Sequence, residues 1–175
     1  RQYLTATYPN LTAYELGELT NSLLMSTAVP SVDHGSGTYF SVRRQGAGVA
    51  NVLSAIKSGA YLSVEGCNRP KAELGSSKDG SFTYTATVHN LTGEVKTYSL
   101  DTAALVETIT EIDGVPYVAN SEKRLSSHEV NVRYTGLTGN KLTVAANGTA
   151  TFTVTIQLTE SGKQYLDSNF PNGSY

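Results

Sequence analysis

The strongest constraint on the fold is a change of period part-way along the chain. From Phe82 to His89, apolar Phe82, Tyr84, Ala86 and Val88 alternate with Thr83, Thr85, Thr87 and His89. The same rhythm returns at Phe152, Val154, Ile156 and Leu158, set between Thr151, Thr153, Thr155 and Gln157. A period of two puts one set on each face of a strand, so each stretch has an apolar face and a threonine face. Before Gly59 the period is 3.6. Leu16, Leu19 and Leu23, with Leu24 beside them, fall on one face of a helix expected from about Ala13 to Thr27. Thr12 and Glu15 form a T-x-x-E capping box at its start, and Pro30 closes it. Arg1 to Tyr8 reads as the last turns of an earlier helix, ended by Pro9.

Between the two regimes lies Tyr39 to Ile56, YFSVRRQGAGVANVLSAI. A Gly-rich loop, SVDHGSGT, leads to Arg43 and Arg44, then to a turn at Gly46 to Gly48. Val49, Val52, Leu53 and Ile56 then keep helical spacing, and Gly59 suits the left-handed position after a helix end. Arg43, Arg44, Gln45, Gly46, Gly48 and Asn51 are the structural residues of this junction. One or both arginines are expected to fasten it through bidentate bonds to carboxylates. Two helices of roughly fifteen and ten residues cannot close a core alone. Their apolar faces need the β region or further protein.

After the junction, Leu62 to Val64, Lys71 to Leu74, the Phe82 stretch, Tyr98 with Leu100, Val130 to Tyr134, Leu142 to Ala146 and the Phe152 stretch give about seven strands. Turn signals stand at Asn90 to Gly93, Asp113-Gly114, Gly139-Asn140 and Asn147-Gly148, the last a strong hairpin signal. Short strands with frequent turns indicate a mainly β chain: an immunoglobulin- or fibronectin-III-like sandwich preceded by two or three short helices. A further helical patch, ESGKQYLDSNF, follows Thr159. The expected division is 1–60 helical and 61–175 sandwich.

The chain has 175 residues, 39% hydrophobic and 16% charged, with a net charge of -2. Such a balance offers no basic field for nucleic acid, and no apolar run is long enough to span a bilayer. The opening run RQYLTATYPN lacks the order of a signal peptide and reads as the interior of a longer chain. The single cysteine, Cys67, excludes an internal disulfide and lacks the neighbours of a metal or catalytic thiol.

Chemistry-bearing groups are few. Asp33, His34 and Ser36 sit in one loop, whereas triad members converge from separate rigid elements. Ser126 to Glu129 precedes a strand, which would send His128 and Glu129 to opposite faces. His89 stands on the threonine face. Neither histidine has a metal-spaced partner, so both are expected to be solvated or hydrogen-bonded. Glu107, Glu111 and Asp113 would share one side, as a weak calcium site requires, only on an unbroken strand. Sequons occur at Asn10, Asn90, Asn147 and Asn172, explained more simply by turn chemistry. No cofactor motif is found.

Five segments, in order, carry a resemblance: NSLLMSTAVP (Asn21 to Pro30) with Tyr39, RRQGAGVANVLSAI (Arg43 to Ile56), KAELG (Lys71 to Gly75) and SFTYTATVHN (Ser81 to Asn90). The series resembles the multidomain subtilisin-like cell-envelope serine proteases of the lactocepin and streptococcal C5a peptidase group. Val42 stands where those relatives more often have proline. Phe170 to Tyr175 resembles the end region of their first sandwich. The resemblance implies the last helices of a subtilisin-type catalytic domain, then a fibronectin-III-like accessory domain. It carries over no catalytic Asp, His or Ser, so the chain alone is expected to be inactive. It implies a secreted or wall-anchored endopeptidase of a Gram-positive bacterium. The implied partners are the parent's catalytic domain and its protein substrates, with helix-mediated self-association of the chain as a further expectation. The rival reading is an adhesion or protein- or glycan-binding sandwich. Tyrosines clustered on its loops would favour that rival, and tyrosines packed on the helices a scaffold.

Overall fold

The computed structural model describes residues 2–67, 69–170 and 175. Four helices come first: α1 (Gln2–Thr7), α2 (Ala13–Ser26), α3 (Val42–Gln45) and α4 (Val52–Ser58). Eight strands follow: β1 (Ala60–Val64), β2 (Ser81–Asn90), β3 (Lys96–Ser99), β4 (Leu105–Ile112), β5 (Val115–Arg124), β6 (Val130–Thr135), β7 (Lys141–Val144) and β8 (Thr149–Leu158). Helix α5 (Glu160–Asn169) comes last. The protein is mainly β, as the alternation indicates, with one strand more than expected.

The main sheet is antiparallel in the order β1-β2-β8-β6, and the ribbon β3-β7 and the hairpin β4-β5 are separate. Register follows the pattern in the sequence. Tyr84 pairs with Val154, Ala86 with Phe152 and Val88 with Ala150 on the inner face. Outside, Thr83, Thr85 and Thr87 meet Thr155, Thr153 and Thr151, their hydroxyls 3.0–3.2 Å apart. A one-residue slip would exchange the two faces, so the apolar set fixes the register. Ala86, Val88, Phe152 and Val154 pack with Leu142 and Val144 of β7 to form the sandwich core.

Three expectations change. Lys71 to Leu74 is irregular chain, not a strand; its alternation covers too few residues to recruit a partner. Asn147-Gly148 closes no hairpin, because β7 pairs with β3 while β8 pairs with β2 and β6. The turn is a corner between layers, with Asn147 at a φ of 50°. The tight hairpin forms instead at Asp113-Gly114, where both φ angles are positive, 52° and 77°, as a two-residue type I′ turn requires. It joins two strands that are not among the expected seven, Leu105–Ile112 and Val115–Arg124.

The helices form a second small core. Leu4, Leu16, Leu23 and Ala55 are buried together, and Tyr61 of β1 reaches into the same cluster. The capping box closes as expected: the Thr12 hydroxyl accepts from the Glu15 N–H, and the Glu15 carboxylate accepts from the Thr12 N–H at 2.8 Å. Helix α4 departs from expectation. Asn51 caps it, so Val49 lies outside, and Val49, Val52 and Leu53 are exposed while Ala55 turns inward. Among the described residues the stripe at Val49, Val52, Leu53 and Ile56 is left mostly exposed, with Val52 and Ile56 at the rim of a cleft against α1 and α2. A third cluster of Leu125, Val130 and Leu158 takes Tyr165 and Leu166 from α5.

Candidate functional site

The junction is the most highly organised polar region among the described residues. It is built from one-turn helix α3 outward. Arg43 and Arg44 leave its last turn in different directions and grip the two strands of the β4-β5 hairpin. Arg43 Nη1 lies 3.0 Å from Glu107 Oε1 on β4, and this arginine is 81% exposed. Arg44 turns inward to β5. Its Nε lies 3.2 Å from Glu122 Oε1, Nη1 donates to Asn120 O at 2.9 Å, and Nη2 donates to Ala119 O at 3.1 Å and Asn120 Oδ1 at 3.2 Å.

The two ion pairs differ in kind. The Glu122 side chain is only 1% exposed, whereas that of Arg44, at 35%, keeps one side in water. Removing Arg44 would strand the buried Glu122 charge, at a cost of up to about 3–5 kcal/mol. The Arg43 pair is solvated and contributes about 0–1 kcal/mol. Oε2 of Glu122 is buried without a hydrogen-bond partner, which makes the carboxylate depend on Arg44 all the more.

The rest of the motif holds α3 in place. Gln45 works through its amide: Oε1 accepts from Ser31 N–H at 2.6 Å, and Nε2 donates to Phe40 O at 2.5 Å. That clamps both ends of the 31–40 loop. Gly46 ends α3 at a φ of 61°. Gly48 has a φ of 109°, and a Cβ there would stand 2.4 Å from Val29 O, where Val29 and Val49 form an antiparallel bridge. No side chain fits in that space. Asn51 accepts from Ser54 N–H at 2.9 Å and starts α4. Downstream, Leu62 N–H of β1 donates to Ser26 Oγ at the end of α2, at 2.8 Å, a second link between helices and sheet.

The remaining chemistry-bearing residues serve structure. The Asp33 carboxylate accepts from Gly35 N–H, Ser36 N–H and Ser36 Oγ, and these bonds, the Gly35 one foremost, hold its pKa below the usual range. His89 stacks on Tyr61 with ring centroids 4.5 Å apart and lies 2.8 Å from Ser63 Oγ; burial lowers its pKa. His128 and Glu129 belong to a turn and not to a strand, so face alternation does not apply to them. Glu129 pairs with Lys123 and accepts from Ser126 N–H and Oγ at 2.8 Å, which brings its pKa down to about 2, Lys123 being the main cause. Lys123 also sits 3.5 Å from the ring centre of Tyr165, tying α5 to β5.

Glu107, Glu111 and Asp113 do not converge. A register shift between Glu107 and Ile109 interrupts the regular pairing of β4, Glu107 is taken by Arg43, and Asp113 lies in the turn beyond the strand. Among the described residues no group of three His, Cys, Asp or Glu side chains is placed to hold a metal. Cys67 is exposed. Asn172 lies outside the described residues, as does most of the Phe170 to Tyr175 run.

Sequence reasoning missed three groups. Glu122 and Asn120 belong to a strand that was not recognised. Asn90, expected only as a turn residue and a sequon, is buried. Its Nδ2 donates to Glu94 O at 2.7 Å and Ala145 O at 2.9 Å, and its Oδ1 accepts from Thr92 N–H and Oγ1. The signal was its place at the end of a strand, just before the Leu-Thr-Gly turn.

No curated protein matches this chain. A family model described as an Fn3-like domain matches residues 72–174, more than half of the 175. That span covers β2 to β8 and α5, the sandwich to which the arginine clamp is fastened. The chain belongs to the Fn3-like domain family.

Proposed function

We propose that this Fn3-like module is a non-catalytic scaffold at the C-terminal boundary of a subtilisin-like serine endopeptidase. Residues 1–60 are the closing helices of the catalytic domain, and 61–175 are the first accessory sandwich. The clamp holds the sandwich in fixed orientation to the catalytic domain and so helps to present protein substrates. The parent is secreted or anchored in the cell wall of a Gram-positive bacterium.

The observation that carries this reading is the condition of the helical layer. One side is fastened to the sandwich through Arg44, Ser26 and Tyr61. The other leaves Val52 64% and Leu53 59% exposed beside Val49 and Ile56. Such a stripe marks a contact surface for further protein. The tyrosines support the same reading. Tyr8 and Tyr61 pack in the helical cluster, Tyr84, Tyr98 and Tyr134 on the sandwich core, and Tyr165 and Tyr175 beside α5. Exposed Tyr3, Tyr14, Tyr39 and Tyr117 come from four separate segments, and Tyr3 and Tyr14 belong to α1 and α2, not to sandwich loops.

A casein-release assay tests the reading. The chain alone is expected to release nothing above a buffer control. Casein cleavage abolished by a serine-protease inhibitor would overturn it.

A further inference from the structure

The two layers of the sandwich are unequal. Four strands form one sheet, and the ribbon facing their core is only β3-β7. Strand β7 packs over β2 and β8, and there the core is sealed: Leu142, Val144 and Val154 are at most 2% exposed. Towards β1 the cover is incomplete. A slot of about 200 Å3 opens there, lined by Leu62, Val88, Tyr98, Leu100, Leu142 and Phe152. Ser26 and Ser58 of the helical layer bound its far side.

Two strand edges meet this slot, in different states. The Leu62 N–H of β1 is taken by Ser26 Oγ. Strand β3 pairs with β7 alone, and among the described residues no backbone hydrogen bond engages the other side of Lys96–Ser99. A free row of peptide donors and acceptors beside an apolar slot calls for a backbone partner. A helix pairs its own backbone groups internally and leaves such an edge unsatisfied. An extended chain fits, since it delivers a side chain to one face at every second residue.

We propose that the free edge of β3 takes an added β-strand from another polypeptide, extended and apolar at alternate positions, whose inward side chains fill the slot. The added strand would lie between the sandwich and the end of α2. A second copy of β3 is a poor occupant, because its own Tyr98 and Leu100 are already turned into its own core. The proposal stands apart from the protease reading and would hold for any parent protein.

The test uses the full chain and a synthetic peptide of alternating valine and threonine with a lysine at each end. Amide exchange is followed by NMR. Saturable binding is expected to slow exchange at alternate residues of Lys96–Ser99 by roughly tenfold or more. Leu100→Lys is expected to weaken binding at least about tenfold, with β8 exchange unchanged as the check that the sandwich stays folded. A peptide with its central valine replaced by proline should lose the effect whatever happens to the protein variant. Lack of protection at β3, or equal protection by the proline peptide, would overturn the proposal. So would slow exchange, in the chain alone, at the β3 amides that point away from β7, or protection that rises with protein concentration, which would mean that the edge pairs with a second copy.

Discussion

Single residues carry unusual weight where a polar group is buried with every bond made. Asn90 is 2% exposed and uses both ends of its amide to tie the β2-β3 corner to Ala145. Asn90→Ala removes these bonds and takes from the Thr92 N–H the acceptor it uses, at a cost of about 2–4 kcal/mol, measurable by urea unfolding. The turn half of this role has a local signal, but the bond to Ala145 does not, because that partner lies on another connection and only the fold brings it close. Acid sensitivity also belongs at this scale. His89 has a folded pKa below 6.5 because burial disfavours its charged form. Its contribution is complete above the unfolded value and is lost as pH falls through the folded one. Glu129 follows the same sign lower down, from 4.5 unfolded to about 2 folded. Stability is therefore expected to fall in two stages on acidification. Urea midpoints measured from pH 7 to pH 2 should show that Glu129→Gln flattens only the lower stage.

At the scale of elements, close backbone contacts decide which helices dock. Gly162 lets α5 approach the turn before β6: a Cβ there would stand 2.0 Å from Glu129 O. Gly162→Ala is expected to cost about 2–3 kcal/mol and to raise exchange in Glu160–Asn169 ahead of β8. Equal exchange in wild type and variant would contradict the docking argument. The long alternating strands were legible, since Phe82 to Val88 and Phe152 to Leu158 can bury only one face each. The Thr12-Glu15 box was legible because its partners are three residues apart. Strand β5 was not. Its tip, Val115, Pro116, Tyr117 and Val118, is exposed throughout, so no burial pattern was imposed on the sequence. Helix α4 misled for the converse reason: its stripe has helical spacing, but among the described residues it stays mostly exposed.

For the whole molecule, the question is whether helices and sandwich act as one body. The Gln45 clamp, the Ser26 link and the Arg44-Glu122 pair all cross or brace the junction. The motif at Arg43 to Asn51 was legible as a junction, but its carboxylate partners were not, because Arg44 and Glu122 lie far apart in sequence. Amides of Leu16–Leu24 are expected to be protected in the isolated chain, and the exposed α4 stripe to drive weak association that sedimentation detects and Leu53→Lys reduces. The central claim, that the ion pair between Arg44 and buried Glu122 fastens the two parts, is tested most directly by a double-mutant cycle in urea. Arg44→Met and Glu122→Leu are measured singly and together, with Arg43→Ala as a solvated control expected to shift stability by less than about 1 kcal/mol. The account predicts a coupling of at least about 1.5 kcal/mol, with the double variant more stable than either single one. Single effects that add to within about 0.5 kcal/mol would contradict it.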